Sequence, residues 1–175
     1  NYLEDIRRES YRALDILGVK NRIYRSLPPV SMANKETWKI NSIVNEIIKE
    51  VSPRELYVPF PYDLHKDHYV TTYAVNVSCR PYLNSNKTLK KVLAYETLSE
   101  TNLKYLTEQF NPNVFIDISE TIDIKLKALA CYESQLQKKN LPRTLDVIKA
   151  LSILRGSHIG TSAAEAFILL GEYIR

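Results

Sequence analysis

The stretch "ELYVPFPYDLHKDHYV", residues 55–70, decides how this chain folds. Glu55 to Phe60 is a short β-prone run of residues that suit a pleated surface. Directly behind it come two of the chain's three histidines, His65 and His68, with Asp63 and Asp67 beside them. From about Lys66 to Cys79 the pattern turns helical. A strand that passes through a polar turn into a helix is the repeating step of α/β proteins, and in open α/β sheets ligands collect at such passages.

Outward from this point the alternation continues. Residues 6–18 carry Ile6, Ala13, Leu14 and Leu17 at helical spacing and end at Gly18, which suits a helix closed by a left-handed cap. "NRIYRSL" at 21–27 reads as a strand. Residues 34–51 predict a long amphipathic helix with Asn34 as N-cap, Ile40, Val44, Ile47, Ile48 and Val51 on one face, and Pro53 as its stop. Strands are predicted at 91–97 and at 113–119, where Ser119 is placed to cap a helix running to about Gln137. Pro142 suits the first turn of a further helix that stops at Gly156, and Ser162 with Glu165 has the capping-box spacing ahead of "AFILLGEYI". The order predicts one Rossmann-like α/β domain over 1–175, built in three layers around a mostly parallel sheet, because parallel neighbours need crossover connections.

Composition narrows the classes. With 45% apolar residues, 25% charged residues and only four glycines, the chain is neither disordered nor fibrous. Its longest apolar runs, such as "AFILL" at 166–170, fall far short of the roughly 20 residues of a membrane span. The opening "NYLEDIRRES" lacks the apolar core of a secretory signal. Cys79 and Cys131 lie far apart in apolar-periodic segments and read as buried thiols of a reducing compartment, so a cytoplasmic setting is expected. The net charge of +4 is scattered among acids, and the densest basic patch, "KTLKK" at 87–91, reads as solvated surface. No nucleic-acid partner is expected.

If the turn around His65 is helical, His65 and His68 share a face with Cβ atoms roughly 5–6 Å apart. One imidazole can then hold a metal while the other meets a substrate. A carboxylate on a histidine's far nitrogen fixes its tautomer and raises its basicity, and Asp67 is in place to supply one. The plainer alternative is a polar turn whose Asp63 caps the helix and whose histidines are only exposed. A catalytic zinc needs three protein ligands, and His158 in "RGSHIG" reads as a loop or core-edge residue. Tyr95 and Tyr132 read as packing residues. Trp38 is either a sugar-stacking platform or, on its amphipathic helix, a core or rim residue.

"YDLHKDH", "RPYLNS", "VLAYETLSE", "FNPNVFIDISETIDIKLKALACYESQ" and "LRGSHIGTSAAEAF", together with the helix end "ALDILGV", resemble in order the blocks of the LmbE/PIG-L family of zinc-dependent N-deacetylases. The resemblance implies a Rossmann-like fold, a Zn2+ cofactor and removal of acetyl groups from N-acetylglucosamine units of small glycosides, lipids or antibiotic precursors. It implies His68 as a metal ligand, His65 as the group that steadies the oxyanion or protonates the leaving amine, and Asp67 as the residue that orients His65. Lys66 stands where the family commonly has proline. Arg7 or Arg8 is the candidate substrate contact, and Arg80, Glu96 and Arg155 line the groove or pair with one another. The family's first block, a strand ending in His-Pro-Asp-Asp-Glu with the other zinc ligands and the general base, has no counterpart within 1–175. The expectation is therefore a domain without its N-terminal strand–helix unit, with a possible homo-oligomer and, as the alternative function, a non-catalytic carbohydrate-binding or assembly paralogue.

Overall fold

The computed structural model describes residues 2–25, 27, 32, 36–83, 87–103 and 108–174. In chain order the elements are α1 (Tyr2–Ile16), α2 (Thr37–Val51), β1 (Glu55–Pro59), α3 (Lys66–Ser78), β2 (Lys91–Tyr95), β3 (Val114–Asp117), α4 (Ile122–Ala130), α5 (Leu145–Ser157) and β4 (Ala164–Glu172). The strands form one four-stranded sheet in the order β1-β2-β4-β3. β1 and β2 are parallel, with Glu55 opposite Lys91 and Pro59 opposite Tyr95. β4 runs antiparallel to β2. Its bonds to the β3 segment, Asn113 N–H to Phe167 O and Ile118 N–H to Ala163 O at 3.0 Å each, also run in opposite senses along the two chains. Three strands thus share one direction, and the chain has the expected Rossmann-like α/β class.

Two compact units make up the chain, one of residues 24–114 and 166–175, the other of residues 1–23 and 115–165. The first holds α2, β1, α3 and β2. Its core is Ile48, Val58, Val75, Cys79, Leu89, Val92 and Ala94, with Val44, Leu56, Ile168 and Tyr173 packed against it. Leu89 lies inside the basic stretch 87–91, so that stretch is a surface with a core anchor rather than a wholly solvated face. α3 is fastened to β1 by the buried Thr72 hydroxyl, which donates to Pro59 O at 2.6 Å. Proline lacks a ladder donor, and Pro59 sits on the edge strand, where that omission leaves no gap in the sheet.

In the second unit α1 ends as expected at Gly18, φ +71°, where the Val19 N–H closes on Leu14 O at 2.9 Å. The strand expected over 21–27 does not form at 21–25. There the Arg22 guanidinium turns back to Asp15, Val19 O and the Tyr11 ring, and the segment is held by a side chain instead of a ladder. α4 stops at Ala130 rather than near Gln137, because α1 captures the chain beyond it: buried Glu9 accepts from Ser134 N–H at 2.9 Å and from its hydroxyl at 2.6 Å. Ser119 donates to Asp117 at 2.6 Å and does not cap α4. Cys79 is buried, whereas Cys131, at the C-cap of α4, is only half-buried.

Thr144 caps α5 by accepting from Val147 N–H at 3.3 Å, and the helix passes through Gly156 to Ser157. Gly156 is required by proximity: a Cβ there would stand 2.6 Å from Thr161 O and 2.8 Å from Ala163 N. The Ser162–Glu165 spacing does not start a helix. Residues 164–172 are β4, because a short apolar run obeys whichever partner is available, and β2 supplies a ladder. Asn34 lies outside the described residues.

Candidate active site at the start of helix α3

β1 and β2 run side by side and deliver their carboxyl ends, Pro59 and Tyr95, to one place. The ladder extends one residue further through Phe60 N–H to Tyr95 O at 3.0 Å. Residues 61–65 then turn into α3, and the turn after β2 folds against them, with Leu64 N–H donating to Glu100 O at 3.1 Å.

His65 is the N-cap of α3, with extended backbone at φ −77°, ψ 115°, and its Nδ1 accepts the Asp67 N–H at 3.2 Å. A backbone N–H only donates, so Nδ1 carries a lone pair and the proton of the neutral ring sits on Nε2. His68 is arranged the other way. Its Nδ1 lies 2.7 Å from Oδ2 of Asp63, whose side chain is fully buried. The carboxylate accepts, so neutral His68 is protonated on Nδ1 and presents an Nε2 lone pair. The two rings stack with centroids 5.2 Å apart and planes inclined by 25°. Identical side chains one helical turn apart thus offer opposite chemistry, one a donor and the other a Lewis base.

Asp63 is fixed from its other side by Thr101, whose hydroxyl donates to Oδ1 at 2.6 Å while accepting the Thr97 N–H at 2.7 Å. Each atom of this chain has one role left to it, which is how a buried polar network acquires a single arrangement. The charge of Asp63 also reaches β2: burial, and secondarily the Asp63 carboxylate, hold the Tyr95 phenol above its ordinary pKa.

The expected residues are therefore partly brought together. His65, Asp67 and His68 cluster, but Asp67 meets His65 through its backbone N–H, and its carboxylate accepts from Met32 N–H at 3.2 Å. The carboxylate on a histidine's far nitrogen is Asp63, not Asp67, and the cap is His65, not Asp63. Arg7 and Arg8 stand exposed on α1 in the other unit, with Arg8 paired to Asp5 at 2.7 Å. Arg80 donates to Val77 O at 2.8 Å and lies over Tyr82, and His158 closes α5 against the Phe115 ring. Asp63 carried a sequence signal, five residues ahead of His68. Thr101 carried none.

As a metal ligand His68 is well prepared, since a carboxylate-held imidazole with a free nitrogen is the usual partner of zinc. The set is not closed. Among the described residues no three histidine, cysteine, aspartate or glutamate side chains converge, and zinc needs three. These residues offer one coordinating nitrogen and do not by themselves make a metal centre.

The chain matches no protein-family model. Its fold is shared with solved structures. It is similar to the conserved protein TT1542 from Thermus thermophilus, with 21% identity, TM-score 0.76, and coverage of 98% of this chain and 76% of that one. It is also similar to the N,N'-diacetylchitobiose deacetylase of Pyrococcus horikoshii, with 19% identity, TM-score 0.73, and 94% and 62% covered, so it spans less than two thirds of that enzyme. GalB, the 4-carboxy-2-hydroxymuconate hydratase of Pseudomonas putida KT2440, shares the fold at 16% identity and TM-score 0.68, with 98% and 73% covered. A teicoplanin deacetylase solved in a zinc-inhibited form matches with 19% identity, TM-score 0.64, and 93% and 72% covered. The class defined is a Rossmann-like α/β protein whose solved neighbours include deacetylases. No helix among the described residues is long and apolar enough to cross a membrane.

Proposed function

We propose that residues 1–175 are the histidine-bearing part of a cytoplasmic, zinc-dependent N-deacetylase of the LmbE/PIG-L type. Its substrate is the acetamide of an N-acetylglucosamine unit in a small glycoside, lipid or secondary metabolite. The observation that supports this best is the opposite pairing of Nδ1 on two stacked imidazoles, with a backbone N–H in His65 and with a carboxylate in His68. His68, held by Asp63 on Nδ1, turns a lone pair outward as one ligand, and the remaining ligands come from outside the described cluster. Zinc, when bound, polarises a carbonyl and brings the pKa of its water to about 7.

His65 has an Nε2–H to offer. As the amide oxygen gains charge, a donor aimed at it is worth about 2.7–4 kcal/mol. His65 keeps this proton while helping, because releasing it would require Nδ1 to take another, and the Asp67 N–H occupies that nitrogen. It is thus a hydrogen-bond donor to the oxyanion; protonating the amine would require the doubly protonated ring and an opened cap.

The test is acetate release from an N-acetylglucosamine derivative by the intact protein with zinc present. His68→Ala is expected to lose metal affinity. His65→Ala is expected to keep metal and lose turnover by about 10²–10³. Full activity in both variants rejects the proposal. A non-catalytic carbohydrate-binding role is the second reading, favoured by the single coordinating nitrogen, and sugar binding without acetate release would select it.

A further inference from the structure

The turn that leads into the two histidines has an apolar side that their chemistry does not use. Along it, Asp63 has a fully buried side chain, while its neighbours Tyr62 and Leu64 are 43% and 55% exposed. Turns favour Gly, Pro, Asn, Asp and Ser, and the bend itself explains neither Tyr62 nor Leu64. Tyr62 is nevertheless built in. Its ring meets Phe60 at 5.5 Å between centroids with planes inclined by 59°, and Phe60 meets Phe110 edge to face at 5.3 Å. Phe60 and Phe110 are both buried, and the Phe110 N–H donates to Asn102 Oδ1 at 2.8 Å.

The backbone beneath the ring is held as firmly. Pro61 restricts φ on one side, and on the other the Asp63 N–H donates to Phe60 O at 3.3 Å and the Leu64 N–H to Glu100 O at 3.1 Å. A large ring that is fixed from behind and open to solvent offers contact area at little cost in side-chain entropy. It is also close to the chemistry. The backbone from Tyr62 to His65 spans at most about 11 Å, a distance that one sugar with its acetamido arm can bridge between two side chains. Trp38, the other candidate for a sugar platform, lacks this support. It stands 65% exposed on α2, with the Lys39 ammonium 5.4 Å from its ring centre and no aromatic ring behind it among the described residues.

We infer that Tyr62 is the platform on which the substrate's pyranose ring rests, with a C–H face of the sugar against the tyrosine and the acetamido group turned toward His65. The inference rests on the proposed acetamido-sugar substrate and adds the residue that selects for a sugar ring. Axial C–H bonds of a gluco-configured ring emerge together on each face and carry slight positive charge, whereas the face of an aromatic ring is negative. The contact depends on the ring of Tyr62 and not on its hydroxyl.

Saturation-transfer NMR of methyl β-N-acetylglucosaminide with the full chain, irradiating aromatic protons, reads the contact without requiring turnover. The axial hydrogens of one sugar face, H1, H3 and H5 or H2 and H4, are expected to be labelled more strongly than those of the other. Tyr62→Leu is expected to weaken binding about 3–10-fold and to remove that asymmetry, while Tyr62→Phe and Tyr62→Trp retain both and Trp38→Phe changes neither. The proposal is overturned if the parent binds no sugar at tens of millimolar, if both faces are labelled alike, or if Tyr62→Leu binds as well as the parent. It is equally overturned if Tyr62→Phe loses as much as Tyr62→Leu, which would assign the contact to the hydroxyl, or if Trp38→Phe loses binding. Acetate release separates this inference from the reading it rests on. One-sided labelling without acetate release removes the deacetylase and leaves the platform, and acetate release with an unchanged KM in Tyr62→Leu removes the platform alone.

Discussion

Replacing Asp63 by asparagine tests the arrangement of the two imidazoles without presupposing a metal. The carboxylate takes one hydrogen bond on each oxygen, from His68 Nδ1 at 2.7 Å and from the Thr101 hydroxyl at 2.6 Å, with no exposed side-chain surface. An amide has one acceptor oxygen where the carboxylate has two. If the oxygen stays with Thr101, the new NH₂ faces His68, and the ring relieves the donor–donor clash by moving its proton to Nε2. The lone pair that pointed outward is then gone. Bonds to charged groups contribute about 1.5–3 kcal/mol each and neutral ones about 0.5–1.5, and here both become neutral, the one to His68 with its direction reversed, so a loss of about 2–3 kcal/mol is expected. For a chain of this size that lowers the melting temperature by roughly 4–12 °C. Long-range ¹H–¹⁵N correlation of the imidazole nitrogens reads the tautomers directly. The expected pattern is Nδ1–H on His68 and Nε2–H on His65 in the parent, with His68 inverted in Asp63→Asn. If the intact protein binds zinc as proposed, its affinity, measured against a chromophoric chelator, is expected to drop about 10–100-fold. The reasoning is refuted if parent His68 carries its proton on Nε2, or if the variant keeps the parent's tautomer and melting temperature.

Four further outcomes follow from the packing. Burial pushes the Cys79 thiol up to about 11, so at pH 8 a disulfide reagent should modify half-buried Cys131 and spare Cys79 until the protein unfolds. With its folded value above the unfolded one, the contribution of Cys79 is fully present below about pH 9 and is lost as pH rises toward 11, which denaturant midpoints measured across that window should show. Gly156→Ala drives a Cβ against backbone atoms at 2.6 and 2.8 Å that cannot swing aside, and a loss of about 1–3 kcal/mol is expected in equilibrium unfolding. Thr72→Val preserves shape but leaves Pro59 O without its 2.6 Å donor, a change expected to lower stability by about 1–2 kcal/mol on the same assay.

The legible parts of the fold were those whose cause is local. Gly18 announces its left-handed cap, and the apolar spacing of Ile40, Val44 and Ile48 announces α2, because each depends on neighbours within a turn or two. β4 was not legible. "AFILL" has no period of its own, and the Ser162–Glu165 spacing imitates a helix start that β2 overrides from about 75 residues away. The end of α4 is hidden from the sequence for a similar reason, since Glu9, which draws Ser134 out of helical geometry, is 125 residues distant. At the site, the clustering of His65, Asp67 and His68 was visible as spacing. Their division of labour was not: histidine is not among the usual N-cap residues, so Asp63 looked like the cap and Asp67 the orienting carboxylate. The hydroxyl that fixes Asp63 comes from Thr101, 38 residues away, and only pairing of β1 with β2 brings it near.

The clasp between the two turns, Asp63 to Thr101 and Leu64 to Glu100, sets rules for anyone re-engineering the molecule. Between Asp63 and His68 there is no latitude for added length. One inserted residue rotates the imidazole by about 100° around the helix axis, away from its carboxylate, so this short interval behaves as a fixed gauge.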